Sequence, residues 1–253
     1  MSEVRNSPSI MFVHGAAHGG WCWEEHFTGW FEARGYTVAA PDLPHHGELR
    51  RRGIRFASLK DHVDAVDAGA AALGRPVILV GHSIGGYIVQ THLESAPADL
   101  GLLLASIPPT GGSSFARRLM RRYPRSFLKT LFTLRAADSV RMTRAMLFTA
   151  DTPEHIVEEC HSRLGKESLR ILMDMNTPIR TERIKTPVVA IGADGDEMVA
   201  TRQEVAATAK AYRTEPIQVP GGHDTMLDTH WEQAASAVES AIAQRVQSRA
   251  AAS

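Results

Sequence analysis

The residue types that together activate a hydroxyl for attack on a carbonyl occur in this chain in a telling order, each directly after a short apolar run. Ser83 stands in Gly81-His82-Ser83-Ile84-Gly85-Gly86, immediately after the apolar stretch 77–81. A serine at its ordinary pKa is a poor nucleophile and needs a histidine base that is itself held by a carboxylate. His223 supplies such a base in Pro220-Gly221-Gly222-His223, just after the run 215–219, and Asp194 and Asp196 follow the run 188–192. The order serine, aspartate, histidine is that of one type of hydrolytic triad. Attack also needs backbone donors for the developing oxyanion. The Ile84 N–H, next to the serine, is one candidate; the Ala16 N–H, after the turn His14-Gly15, is the other. The plainer alternative for the serine segment is a glycine-rich strand-to-helix turn with an incidental hydroxyl.

These residues can meet only if their elements end on one edge. Six unbroken apolar runs, 10–14, 37–41, 77–81, 101–106, 188–192 and 215–219, have the character of parallel strands covered on both faces. Helical patterns lie between them. Ser58 to Asp61 spells a capping box, with apolar residues at helical spacing behind it and Gly74 to end the helix. Thr201 to Glu204 and Thr229 to Glu232 carry the same signature, and Thr152-Pro153-Glu154 looks like a cap followed by proline at the first helical position. The rhythm predicts an α/β fold with a six-stranded, mostly parallel, doubly wound sheet. Residues 108–183 break it. They contain no evident strand and are expected to form a helical lid over the carboxyl edge, inserted into a core made of 1–107 and 184–253.

Totals narrow the function further. With 253 residues the chain can bury a substantial core, and 28 basic side chains against 28 acidic ones give no global pull toward nucleic acid. Cys22 and Cys160 form no CxxC pair, which predicts free thiols in a reducing compartment. No apolar run reaches the ~18 residues of a membrane span, and the polar residues before the first strand leave no room for a signal peptide. The expectation is a cytoplasmic protein without stable membrane insertion; the sequence gives no oligomeric state. His14, His18, His45 and His46 could be read as metal ligands. There is no HExxH, and the glycine-rich setting fits backbone donation better, so neither a metal nor a cofactor is expected.

Taken together, "VHGAAHGGWCW", "GHSIGG" and "GGHDTML" make the chain resemble the α/β-hydrolases, in particular the small lid-bearing serine esterases related to plant methyl esterases and hydroxynitrile lyases. The resemblance implies a triad of Ser83, Asp196 and His223 and an oxyanion hole of Ala16 and Ile84. It favours Asp196 over Asp194 through the spacing G-x-x-G-D-x-x-V. Two departures weaken a lyase reading, because the lyases carry threonine where this chain has Gly15 and lysine where it has Asp224. The implied activity is a carboxylic ester hydrolase acting through an acyl-enzyme. Lactone, thioester or carbon–carbon bond hydrolysis with the same triad, a lyase-like enzyme and a non-enzymatic small-molecule receptor on the same fold remain open.

The insertion bears on the substrate. Phe115, Phe127, Leu131, Phe132, Met142, Met146 and Phe148 could line an apolar pocket or simply hold the helices together. The same segment is one-sidedly basic, with Arg117, Arg118, Arg121, Arg122, Arg125, Lys129 and Arg135 and no acidic residue before Asp138. A solvated face is one reading, attraction of an anionic substrate or lipid surface the other.

Overall fold

The computed structural model describes residues 8–49, 57–135 and 137–251; the expectation for the N-terminal residues falls largely outside them. Six strands form one sheet: β1 (Ser9–Val13), β2 (Val38–Ala39), β3 (Val77–His82), β4 (Leu100–Leu104), β5 (Val188–Ala193) and β6 (Ile217–Val219). Their order is β2-β1-β3-β4-β5-β6 and every neighbouring pair is parallel. The register sets Met11 beside Leu79, Val80 beside Leu102 and Ile191 beside Ile217. Every residue of β3 and β4 is buried, as strands covered on both faces must be.

Helices flank the sheet. α1 (Trp21–Glu24) and α2 (Phe27–Glu32) follow β1, α3 (Leu59–Leu73) packs on β1, and α4 (Ile84–Leu93) packs on β3 and β4. Phe12 of β1 stacks on Trp23 at 4.7 Å between ring centroids and meets Phe27 edge-on at 5.9 Å, which anchors the first two helices to the sheet. Two of the three predicted capping boxes form, at the starts of α3 and α10 (Arg202–Ala211). The last helix, α11 (Trp231–Ala250), lies against β6. Between β4 and β5, among the described residues, run five α-helices and no strand: α5 (Ser113–Arg122), α6 (Pro124–Thr133), α7 (Val140–Leu147), α8 (Glu154–Arg163) and α9 (Leu169–Asp174).

Local expectations fail where a side chain has a stronger partner elsewhere. Thr152 does not cap α8; its hydroxyl donates to Asp228 at 2.9 Å, and Pro153 occupies the cap position. Thr229 likewise caps nothing, because α11 begins one residue later with His230 as its N-cap and no side-chain cap bond. Strands β2 and β6 are shorter than their apolar runs. Cys22 and Cys160 are free and buried.

Candidate active site

All four segments singled out in the sequence leave the carboxyl ends of parallel strands, so the topology alone brings them to one edge. Ser83 follows β3 directly and takes φ 55° and ψ −121°, a left-handed conformation that an L-residue occupies only under constraint. The constraint is a strand that becomes a helix with no loop between. A Cβ on Gly81 would lie 2.5 Å from the Gly85 carbonyl oxygen, and one on Gly85 would collide with the carbonyls of Val13 and His14. Only glycine lets α4 start this close to β1 and β3, and that start aims the N-terminal N–H groups of α4 at the serine.

His223 sits in the loop after β6. Asp228 accepts the Gly222 N–H at 2.8 Å, the Asp224 N–H donates to the Leu147 carbonyl at 2.9 Å, and buried His82 donates from Nε2 to the His223 carbonyl at 3.0 Å. The imidazole Nδ1 of His223 lies 2.6 Å from Asp196 Oδ2. Asp196 is buried and accepts three more bonds, from the N–H groups of Met198 (3.1 Å), Val199 (2.8 Å) and Ala200 (2.8 Å). Burial pushes its carboxyl pKa up, but His223 and the N–H groups of Val199 and Ala200 outweigh that and hold it below the usual range. Asp194 is elsewhere: its side chain is 43% exposed and faces Arg202 at 3.5 Å.

Ser83 and His223 line one cavity of about 450 Å³, together with Ala16 and Ile84. Among the described residues, no hydrogen bond joins Ser83 Oγ to His223, and neither the Ala16 nor the Ile84 N–H donates to a protein acceptor. Contacts of the first kind commonly tighten only around bound substrate. The rest of the lining is mostly apolar and comes largely from the helices between β4 and β5, including Phe115, Leu119, Phe127, Leu131 and Met146. Of the seven candidates for this lining, Phe115, Phe127, Leu131 and Met146 reach it. Phe132 is 80% exposed, while Met142 and Phe148 are buried in the core away from the cavity.

A buried polar layer, from which His18 and Glu167 reach the cavity wall, was not legible in the sequence. His18 donates from Nε2 to Asp224 at 2.9 Å and bonds through Nδ1 to the Ala16 carbonyl at 2.7 Å. Two acceptors facing the two nitrogens favour the imidazolium; burial opposes that charge, and Asp224 more than compensates, so the pKa is raised. Asp224 is itself held at about 2, burial being overcome by His18. This pair ties the Ala16 loop to the His223 loop. On the other side Glu167, between α8 and α9, accepts the Ala17 N–H at 3.2 Å, the Ser168 N–H at 2.6 Å and His46 Nε2 at 3.1 Å. Gly165 N–H donates to the Ala17 carbonyl at 2.7 Å. His14 is neutral: Nδ1 donates to the Gly15 carbonyl while Nε2 accepts from Leu43 N–H, and burial lowers its pKa well below the usual value. The only signal for this layer was the density of histidine and acid beside the glycine turns.

The basic run in the stretch between β4 and β5 is not uniformly free. Arg118 donates to the carbonyls of Met198 and Val199, each at 2.8 Å, and to Glu204 at 2.7 Å, so it clamps α5 to the loop that carries Asp196. Lys129 pairs with Asp138 at 2.9 Å. Arg117, Arg121, Arg125 and Arg135 are exposed.

A parallel six-stranded sheet with a serine-bearing turn at the end of its third strand defines an α/β-hydrolase architecture. The chain belongs to the alpha/beta hydrolase family, which it matches over residues 10–237. It is 29% identical over 212 residues to the protein named probable esterase PIR7A of Oryza sativa subsp. indica, covering 80% of this chain and 76% of that one. It is also 29% identical over 147 residues to methylesterase 3 of Arabidopsis thaliana, covering 54% and 56%. Among solved structures, the methylesterase MES16 from Arabidopsis superposes with a TM-score of 0.67 at 18% identity over 93% of this chain and 99% of that one, a likeness of fold. Among the described residues no helix is long and apolar enough to cross a membrane.

Proposed function

We propose that this protein is a serine esterase that cleaves a carboxylic ester of a small or medium apolar substrate through an acyl-enzyme. The observation that carries the reading is the convergence, on one apolar cavity, of a strained Ser83 and of a His223 whose Nδ1 is held by a deeply buried Asp196. Ser83 Oγ attacks the ester carbonyl while His223 Nε2 takes its proton. Asp196 keeps Nδ1 protonated and balances the imidazolium that forms. The tetrahedral oxyanion is received by the free N–H groups of Ala16 and Ile84, each such donor being worth about 10²–10³ in rate. His223 then protonates the departing alcohol, and water activated by the same imidazole releases the acid from Ser83. The esterase and methylesterase names of its relatives support the reading.

The helices of residues 108–183 act as the lid, since they supply most of the apolar lining of the cavity. A lyase reaction is disfavoured sterically. A Cβ on Gly15 would stand 2.8 Å from His82 Nδ1 and 3.0 Å from the Ser83 Cβ, so the threonine of the lyases does not fit here. Hydrolysis of a p-nitrophenyl ester series of increasing acyl length tests the proposal. Turnover that rises with chain length and then falls as the cavity fills is expected. No hydrolysis of any member by the folded protein overturns it.

A further inference from the structure

We propose that His46, His62 and Glu167 form a binding site for a borderline divalent cation of the Zn²⁺ or Co²⁺ type, separate from the residues of the proposed esterase reaction. The three come from distant segments: the loop after β2, α3 and the insertion. All three are buried, and their ligand atoms lie within 4.8 Å of one another.

His62 has an unpaired ring nitrogen. Its Nδ1 donates to the Ser58 carbonyl at 2.7 Å, which leaves the lone pair on Nε2. That Nε2 is fully buried and has no hydrogen-bond partner. An orphaned acceptor in the interior costs free energy unless something fills its place. His46 repeats the arrangement. Its Nδ1 bonds to the Pro44 carbonyl at 3.0 Å and its Nε2 points at Glu167 Oε2, 3.1 Å away. A carbonyl on Nδ1 and a metal on Nε2 is the usual way a protein orients a ligating imidazole. Two imidazoles and one carboxylate suit Zn²⁺ or Co²⁺ and not Mg²⁺ or Ca²⁺, which prefer all-oxygen surroundings.

Distances agree with such an ion. Bonds of 2.0–2.2 Å in a tetrahedral site set ligand atoms roughly 3.3–3.5 Å apart. The His46–Glu167 separation of 3.1 Å is already close to this, and His62 needs to approach by no more than about 1.5 Å. On binding, the cation takes the place of the proton that His46 Nε2 shares with Glu167, and that proton leaves to solvent. Glu167 lines the cavity, which gives both an entry path and space for a water at the fourth position.

Two other groups of potential ligands are less suited. Both share Asp224, whose Oδ2 is bonded to His18 and whose Oδ1 is buried without a hydrogen-bond partner. One also needs the thiolate of Cys160, whose pKa burial pushes up, and the other needs His223, whose Nδ1 is committed to Asp196. A cation at His46, His62 and Glu167 would fasten the insertion to the sheet core directly behind the Ala16–Ala17 loop, because Glu167 also holds the Ala17 N–H.

Titration of metal-free protein with Co²⁺ tests this. One ion per chain is expected, with the visible d–d bands of a four-coordinate site and no thiolate charge-transfer band. Saturation a hundredfold above Kd should raise Tm by about 5–10 °C. His62→Gln and Glu167→Gln, checked for folding by circular dichroism, should each weaken binding by more than the roughly 10–100-fold that loss of an outer hydrogen-bond partner costs. Asp224→Asn should keep it. Should a variant not fold, ¹⁵N spectra of the wild-type histidine side chains with Zn²⁺ decide, since Nε2 of His46 and His62 must shift while both nitrogens of His18 stay. Absence of stoichiometric binding, full binding by folded His62→Gln, or shifts confined to His18 or His223 would overturn the proposal whether or not the esterase reading holds.

Discussion

Replacing Asp196 by asparagine separates this account from its nearest rival, in which Asp194 is the acid. The Asp196 carboxylate receives four donors: Met198 and Val199 N–H on Oδ1, Ala200 N–H and His223 Nδ1–H on Oδ2. An asparagine offers one oxygen and one NH₂ group, so a donor must face donors whichever way it is turned. With NH₂ in the place of Oδ1 two backbone bonds are lost. With NH₂ in the place of Oδ2 the Ala200 bond is lost, and His223 must present a bare Nδ1. That second orientation sacrifices fewer backbone bonds, and it moves the imidazole proton to Nε2, where it cannot accept the proton of Ser83. The wrong tautomer costs about 10⁴ in kcat, or roughly 5.4 kcal/mol of barrier. The unsatisfied N–H adds about 1–3 kcal/mol of lost stability. Asp194→Asn removes only an exposed partner of Arg202, an interaction worth about 0–1 kcal/mol, and should leave kcat within twofold or so of wild type. Steady-state kinetics on one p-nitrophenyl ester, with urea denaturation in parallel, measures both effects. A folded Asp196→Asn enzyme that keeps kcat within tenfold of wild type, or a larger loss in Asp194→Asn, refutes the reasoning.

The His18–Asp224 pair predicts a pH window. The raised pKa of His18 contributes stability that is complete below the ordinary histidine value of about 6.5 and is lost as pH rises through the folded value; the lowered pKa of Asp224 contributes above about 3.9 and is lost as pH falls toward 2. The urea-midpoint difference between wild type and Asp224→Asn should therefore peak between about pH 4 and 6.5, and a difference that is flat from pH 4 to 9 contradicts the pairing. Arg118→Gln should lower stability by about 1–3 kcal/mol and reduce kcat on neutral and anionic esters alike, because it releases the carbonyls of Met198 and Val199 beside Asp196. Arg117→Gln with Arg121→Gln, which touches only exposed charge, should raise KM for an anionic ester alone, and the effect should fade as the Debye length shrinks from about 10 Å at 0.1 M salt to about 3 Å at 1 M. Equal effects of this double variant on charged and neutral esters would make the basic face a solvated surface and no more.

What the sequence made legible was whatever local chemistry decides. Strands β1, β3, β4 and β5 were readable because a strand buried on both faces must be an unbroken apolar run, and Ser58 and Thr201 because a capping box closes within four residues. The turn at Ser83 was readable because Gly81 and Gly85 are forced by backbone approach. Thr152 and Thr229 misled because their surroundings are organised by Asp228, many residues away from the first of them, and no local pattern records that. The same holds for the buried layer: Glu167 meets His46 across 121 positions and His18 meets Asp224 across 206. Such pairings become visible only when the fold closes. Arg118 illustrates the reverse error, since a composition argument groups it with its free neighbours although it is engaged at four hydrogen bonds.

The central claim is that Ser83 is the nucleophile, and covalent labelling tests it most directly. The protein, treated with a fluorophosphonate and digested, should yield a single adduct by mass spectrometry on the peptide that contains Gly81-His82-Ser83-Ile84-Gly85. Labelling and ester hydrolysis should disappear together in Ser83→Ala while its circular dichroism stays that of the wild type. An adduct at any other residue, or undiminished hydrolysis by folded Ser83→Ala, would contradict the account.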